Sequence, residues 1–223
     1  MDQEEAFRRV WQTFRTFDRL ADGRHDTPAW RAHTGVYAIC IVRIPTTELS
    51  ASLTTLHDTL SAYPHVRVHP LSFLHIPLQE LGFVCEKPSR ADEISRDRLD
   101  EFVASAATPI YETRPFQISL GGVNSFQDAA FLDVHDRSRC ALLHTRLHEL
   151  AAFTRTSGYA YLPHSTIAHY TADVPAANLA ATLAQWRDRR FATFMVNNIE
   201  IVTLRPDEPY PPLEPYALIP FGG

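Results

Sequence analysis

His75 and His164 are the residues of this chain whose setting points most directly to chemistry. The stretches around them, Ser72 to Leu81 (SFLHIPLQEL) and Pro163 to Thr171 (PHSTIAHYT), both read as strands. Side chains alternate between the two faces of a strand. In the first, Leu74, Ile76 and Leu78 share a face expected to be buried, and Phe73, His75, Pro77 and Gln79 share the other. In the second, Ile167 is expected on the core side, with His164, Thr166, Ala168 and Tyr170 facing the opposite way. Two such strands beside a pseudo-twofold axis would turn both imidazoles into one cleft. One ring then takes a proton from an attacking water or hydroxyl, and the other gives one to a leaving oxygen. An ordinary histidine pKa of about 6.5 keeps both protonation states accessible. A neighbouring hydroxyl, as Thr166 is to His164, can hydrogen-bond the non-bridging oxygens of a phosphate. The expected chemistry is proton transfer at a phosphoester without a metal or other cofactor.

The other histidines support no comparable argument. The chain has 11 of them, which by count alone suggests metal binding. His144 and His148 lie four apart on a predicted helix with Glu149 next, but the inner Glu of a zinc helix is missing. An exposed pair is expected there. His57, His65 and His69 cluster only in sequence, and His25, His33 and His135 fall in predicted loops or at element ends. Cys40, Cys85 and Cys140 are odd in number and form no CxxC, which excludes a disulfide framework and a cysteine zinc site. No Gly-x-Ser-x-Gly nucleophile elbow or phosphate-binding glycine loop occurs, and Gly121-Gly122 reads as a break in a strand.

The elements that must hold the two histidines are mixed. A helix is expected over Glu4 to Leu20, where Phe7, Val10, Trp11, Phe14 and Phe17 form an apolar stripe. Gly35 to Pro45 reads as a strand, Thr46 to Tyr63 as a helix and Val66 to Val68 as a short strand. Helices follow over Arg90 to Ala107, Ser138 to Thr154 and Ala176 to Asp188. Phe116 to Val123 and Ala129 to Val134 form a hairpin, Phe191 to Leu204 one long strand or a strand pair broken at Asn197-Asn198, and Tyr216 to Phe221 the last strand. Hairpins with packed helices and no strict alternation mean an α+β fold with largely antiparallel sheets. Length of 223 residues and 45% hydrophobic content suit a globular chain with a sizeable core. A net charge of −5 argues against a general nucleic-acid-gripping surface. The N-terminus lacks a signal-peptide core, and the longest apolar run, Val36 to Val42, is far too short for a membrane span. A cytoplasmic, membrane-free monomer is expected.

The two histidine stretches resemble those of the 2H phosphoesterases, the LigT-like or 2′,5′ RNA ligase superfamily, whose signature is two His-x-Thr-x strands. Leu162-Pro163-His164-Ser165-Thr166-Ile167-Ala168 matches the second motif, and His75-Ile76-Pro77-Leu78-Gln79-Glu80-Leu81-Gly82 resembles the first. The resemblance runs from Gly35 to Phe221 and leaves residues 1–34 outside as an N-terminal helical extension to a domain over 35–223. It implies two pseudo-symmetric lobes flanked by helices, with a central cleft. It further implies a metal-independent phosphoesterase acting on 2′,3′-cyclic phosphates or on 2′–5′-linked nucleotide or RNA ends. His75 and His164 would be the acid and base, and Thr166 a phosphate ligand. Tyr170, Tyr37 and Gln79 are candidate pocket residues, Gln79 as a substitute donor. Two departures stand out: Pro77 replaces the first motif's Thr, and His169 stands where many relatives carry Arg. Proline has neither hydroxyl nor backbone N–H and requires an edge, a strand start or a bulge. Pro77 supports an alternative, a degenerate nucleotide-binding member of low activity. A second alternative is protein interaction through the aromatic stripe of the N-terminal helix.

Overall fold

The computed structural model describes residues 2–24, 27–151 and 160–222. Two five-stranded sheets carry the fold. The first has the order β10-β9-β1-β3-β4, from β1 (Val36–Arg43), β3 (His75–Val84), β4 (Glu93–Ile94), β9 (Asn198–Leu204) and β10 (Glu214–Pro220). The second has the order β2-β7-β6-β5-β8, from β2 (Val66–Val68), β5 (Phe116–Ser125), β6 (Ala129–His135), β7 (His164–Tyr170) and β8 (Arg190–Val196). All pairings are antiparallel except the short contact of β3 with β4. The α+β, two-lobed expectation therefore describes the architecture.

Helices α4 (Arg96–Tyr111) and α5 (Arg139–Ala151) pack on the first sheet, and α3 (Ala51–Ser61) and α6 (Ala177–Ala184) on the second. The chain crosses repeatedly between lobes. β2, from the first half, joins the second sheet, while β9 and β10 return to the first. The predicted break at Asn197 is the point where the chain changes sheets, from β8 to β9. One continuous apolar core joins both lobes, from Cys40 and Ile76 through Leu132 and Ile167.

Several element boundaries differ from the sequence expectation. The helix expected from Arg90 starts at Arg96, because Ser95 caps it by accepting from Arg98 N at 3.2 Å, and Glu93–Ile94 before it pairs with β3. The helix expected from Thr46 opens as a 3₁₀ turn (Thr46–Glu48), and the α-helix begins at Ala51. The first helix, α1 (Gln3–Phe14), stops short of Leu20. His25, and Phe153 and Thr154 at the expected end of α5, lie outside the described residues.

The aromatic stripe of α1 is turned inward. Phe7 and Phe14 are each 1% exposed, and Trp11 packs against the core. Gln3 Nε2 donates to Val134 O (2.8 Å), and Asn124 Nδ2 donates to Phe7 O (3.0 Å). The stripe expected as a possible partner surface is thus an internal contact with β5 and β6. Phe7→Ala should cost about 3–5 kcal/mol of unfolding free energy in a denaturant titration. A loss below about 1 kcal/mol would contradict this docking.

Candidate active site

β3 and β7 lie against each other, one from each lobe. Their histidines are held alike. His75 Nδ1 bonds Phe73 O at 2.7 Å, and His164 Nδ1 bonds Leu162 O at 2.7 Å. A carbonyl can only accept, so in both rings Nδ1 carries the hydrogen and neutral Nε2 keeps its lone pair. Aromatic edges pack on both rings. Phe73 meets His75 at 5.4 Å and 88°, and Phe126 meets His164 at 5.3 Å and 87°.

The likeness extends three residues past each histidine. On β3, Ile41 of β1 faces Pro77 and Cys40 faces Gln79, which leaves Leu78 as an extra residue. On β7, Phe131 of β6 faces Thr166 and Ala130 faces Ala168, which leaves Ile167 as the extra residue. Each motif therefore contains a β-bulge at the same offset from its histidine. A bulge places two residues opposite one and resets the alternation of faces.

This reset decides which sequence candidates reach the cleft. Thr166 stays on the face of His164, half-buried, and its hydroxyl has no hydrogen-bond partner among the described residues. Tyr170 does not stay. Past the bulge it turns into the core, fully buried, with its hydroxyl bonded to Ser125 Oγ. Ala168 turns inward with it. Gln79 is likewise carried to the core face beside Cys40, its amide nitrogen donating to Glu80 O (2.7 Å) and its Oε1 buried without a partner. It is not the substitute donor. Tyr37 does lie on the face of His75, but β3 pairs it with Phe83, whereas His75 pairs with Arg43. Six residues of strand put it about 20 Å away, packed against Trp30 (4.6 Å) and Phe83 (5.0 Å).

The same reset brings His169 onto the cleft face of β7, where its Nδ1 lies 2.9 Å from His69 Nε2. Tyr210 and Phe73 pack on His69, at 4.6 and 5.5 Å, so that an aromatic wall runs back to His75. Sequence spacing gave no hint of this wall, because 100 residues separate His69 from His169. His144 also departs from the expected exposed pair. It is half-buried, bonds Leu78 O at 2.6 Å and stacks on Tyr161 at 4.1 Å. Tyr161 in turn donates to Pro77 O at 2.7 Å. Both side chains brace the β3 bulge. Among the described residues no three His, Cys, Asp or Glu side chains converge to hold an ion.

Burial sets the protonation of the two rings. Desolvation, with Phe73 opposing it and the charges of His164 and Arg43 adding to it, holds His75 down to about 4. Desolvation also lowers His164, with the Leu162 carbonyl and the negative Asp128 acting against it. An unfolded imidazole titrates near 6.5. Between that pH and the folded pKa the unfolded chain binds more protons. Stability from these rings is thus complete above about pH 6.5 and lost as pH falls through the folded pKa of each ring, which for His75 lies at about 4. His57 and His144, lowered by burial, add the same sign. Asp133 acts oppositely, because burial raises it to about 6 and it protonates first in the folded state. With several imidazoles set against one carboxyl, the urea midpoint should drop between about pH 7 and about pH 5. His75→Gln should flatten that drop, and a midpoint that is constant or rising would contradict this assignment.

Two lobes, each presenting a tethered histidine from a bulged strand, make this an α+β protein with a paired-histidine site. The 2′-5′ RNA ligase superfamily model matches residues 45–208, and the chain belongs to that superfamily. Its fold is shared by solved structures, among them the following three. TT0787 of Thermus thermophilus has 18% identity and a TM-score of 0.57 over 82% of this chain and 97% of its own. LigT of E. coli, solved with ATP, has 12% identity and a TM-score of 0.58 over 84% and 99%. A further phosphoesterase has 13% identity and a TM-score of 0.60 over 85% and 99%. No curated protein matches the chain. Family and fold together give an enzyme of the phosphoesterase type. No helix among the described residues is long and apolar enough to cross a membrane.

Proposed function

We propose that the protein opens a 2′,3′-cyclic phosphate, or cleaves a 2′–5′ linkage, at a small nucleotide or an RNA end, without a metal. The observation that carries this reading is the matched tethering of His75 and His164, which leaves Nε2 of both rings for proton transfer. Thr166 is the hydroxyl that binds a phosphate oxygen. The net charge of −5 favours a small substrate or a strand end over the grip of a long polyanion.

The surroundings divide the two roles. Arg43 pairs across from His75 and disfavours a proton there, while Asp128 favours one on His164. In ring opening His75 is therefore the base that takes a proton from water. The water oxygen bonds phosphorus, the bond from phosphorus to the 2′ or 3′ oxygen breaks, and His164 protonates that leaving oxygen. The test is a panel of nucleoside 2′,3′-cyclic phosphates and 2′–5′ dinucleotides in chelator, reading the product as 2′- or 3′-phosphate. Turnover that requires added metal, or that survives loss of both histidines, would overturn the proposal.

Pro77 supports one second reading, a site that binds nucleotide but turns it over slowly, because the lobe of His75 offers no hydroxyl where the other lobe offers Thr166. Measurable affinity with negligible turnover across the panel would favour it.

A further inference from the structure

We infer that residues 2–24 and 27–34, which precede the family match over 45–208, form a built-in boundary of the cleft that restricts its substrate to a mononucleotide-sized phosphoester and excludes the body of a longer strand. This inference rests on the phosphoesterase reading above and adds the size class of its substrate.

The argument follows the strand faces. On the second sheet, Asn124, Phe131, Asp133 and His135 share one face with His164 and Thr166, because Asp133 pairs with His164 and Phe131 with Thr166. Helix α1 lies across this face. Phe7 O accepts from Asn124, the Phe7 ring meets His135 at 5.7 Å, and Glu4 Oε1 lies 2.6 Å from His135 Nδ1. Trp11 lies under the Arg187 guanidinium (5.2 Å) that binds Asp133 Oδ2 at 2.9 Å. The surface beyond His164 on which a strand would run is therefore occupied by the protein's own helix.

After α1 the chain passes beside the site. Leu20 N donates to Val174 O, Ala21 N to Gln127 O and Gly23 N to Tyr170 O, each at 2.9–3.0 Å. Gln127 and Asp128 belong to the turn that presents Phe126 to His164. Contact at Gly23 is so close that a Cβ there would meet Asp128 O at 2.4 Å, so only glycine lets the two backbones meet. Asp22 lies within the field of Arg67, which pairs with His169 on β7.

The segment then reaches the first sheet. Tyr37, Ile39, Ile41 and Arg43 share a face with His75. Trp30 covers its far end, 4.6 Å from Tyr37 and 4.7 Å from Phe83, and His33 stacks on Phe83 at 3.5 Å. His33 is fixed in turn by Glu93 at 3.3 Å. One segment thus touches both histidine-bearing faces away from the histidines themselves, reaching the first at Tyr37 and Phe83, while Leu213 packs with Ile39 and Ile41 nearer His75. The family model's match begins at residue 45, so the segment lies outside it.

The test compares kcat/KM for adenosine 2′,3′-cyclic phosphate and for a decaribonucleotide ending in a 2′,3′-cyclic phosphate. The protein should favour the mononucleotide by at least about tenfold. Trp30→Ala and Gly23→Val, checked for folding by thermal melting, should each shrink that ratio several-fold by raising the oligonucleotide value. Equal rates on the two substrates in the wild type would overturn the boundary, as would a ratio unmoved in both variants. If no cyclic phosphate is turned over, the ring-opening reading fails, and the boundary is tested by binding. Adenosine 2′-phosphate should then bind at least about tenfold more tightly than a decaribonucleotide with a 2′-phosphate end. Equal affinities would overturn the boundary on their own.

Discussion

His164→Ala should lower turnover of a nucleoside 2′,3′-cyclic phosphate by about 10²–10⁴-fold, the usual contribution of a positioned acid or base. The loss should be far smaller on a phosphodiester that expels p-nitrophenolate, because that anion leaves without a proton. His75→Ala should cost about the same 10²–10⁴-fold on both substrates, because attack by water needs its base whatever the leaving group. The contrast follows from the electrostatics of the two lobes. Arg43 beside His75 opposes a proton there, and Asp128 beside His164 attracts one, although both rings share the same carbonyl tether. A reversed pattern, with His75→Ala rescued by the good leaving group, would exchange the two roles and show that the substrate's own charge outweighs Arg43 and Asp128. Equal rescue of both variants would remove the acid–base division altogether. Circular dichroism and nucleotide affinity should be retained in each variant, since both rings are only partly buried and neither holds a strand in register.

The strands and their histidines were readable because strand patterning is local. Ile76 and Leu78 on one side of His75, and Ile167 behind His164, are the kind of period that burial imposes. The same reasoning failed at Tyr170 and Gln79 for a single cause. It carried alternation through Leu78 and Ile167, where each strand holds one residue too many. A bulge shows only in the pairing with a neighbouring strand, β1 in one lobe and β6 in the other, and that register is absent from a local pattern. His169 and His69 were hidden for the same reason, since their meeting depends on β2 pairing with β7. Pro77 was a partial clue. A proline in a strand calls for a bulge or an edge, and β3 supplies both: Leu78 bulges next to it, and β4 covers β3 only at Phe83 and Val84. The stripe of α1 was legible as apolar, but that it docks inward, and on which face, required the sheet to be formed.

Thr166→Val should lower kcat by about 10²–10³-fold, the typical cost of removing one donor to a developing phosphate or oxyanion charge. Valine keeps the shape and the β-branch, so the strand should stand and the loss should report the hydroxyl. The prediction is large because the two lobes are unequal. At the position equivalent to Thr166, two residues after the histidine, the first lobe has Pro77, which supplies no donor. On the proposed mechanism Thr166 carries alone what two hydroxyls would otherwise share. Pro77→Thr tests the asymmetry from the other side. In extended backbone the nitrogen and carbonyl of one residue point the same way. The Pro77 carbonyl accepts from Tyr161, so its nitrogen also faces away from β1 and the exchange disturbs no ladder bond. The new hydroxyl lies on the His75 face and should raise kcat by about tenfold. It should also soften the effect of Thr166→Val, so that the double variant loses less than the two single changes predict together. Strict additivity, or a Pro77→Thr rate at or below the wild type, would mean that phosphate is held from the lobe of His164 alone.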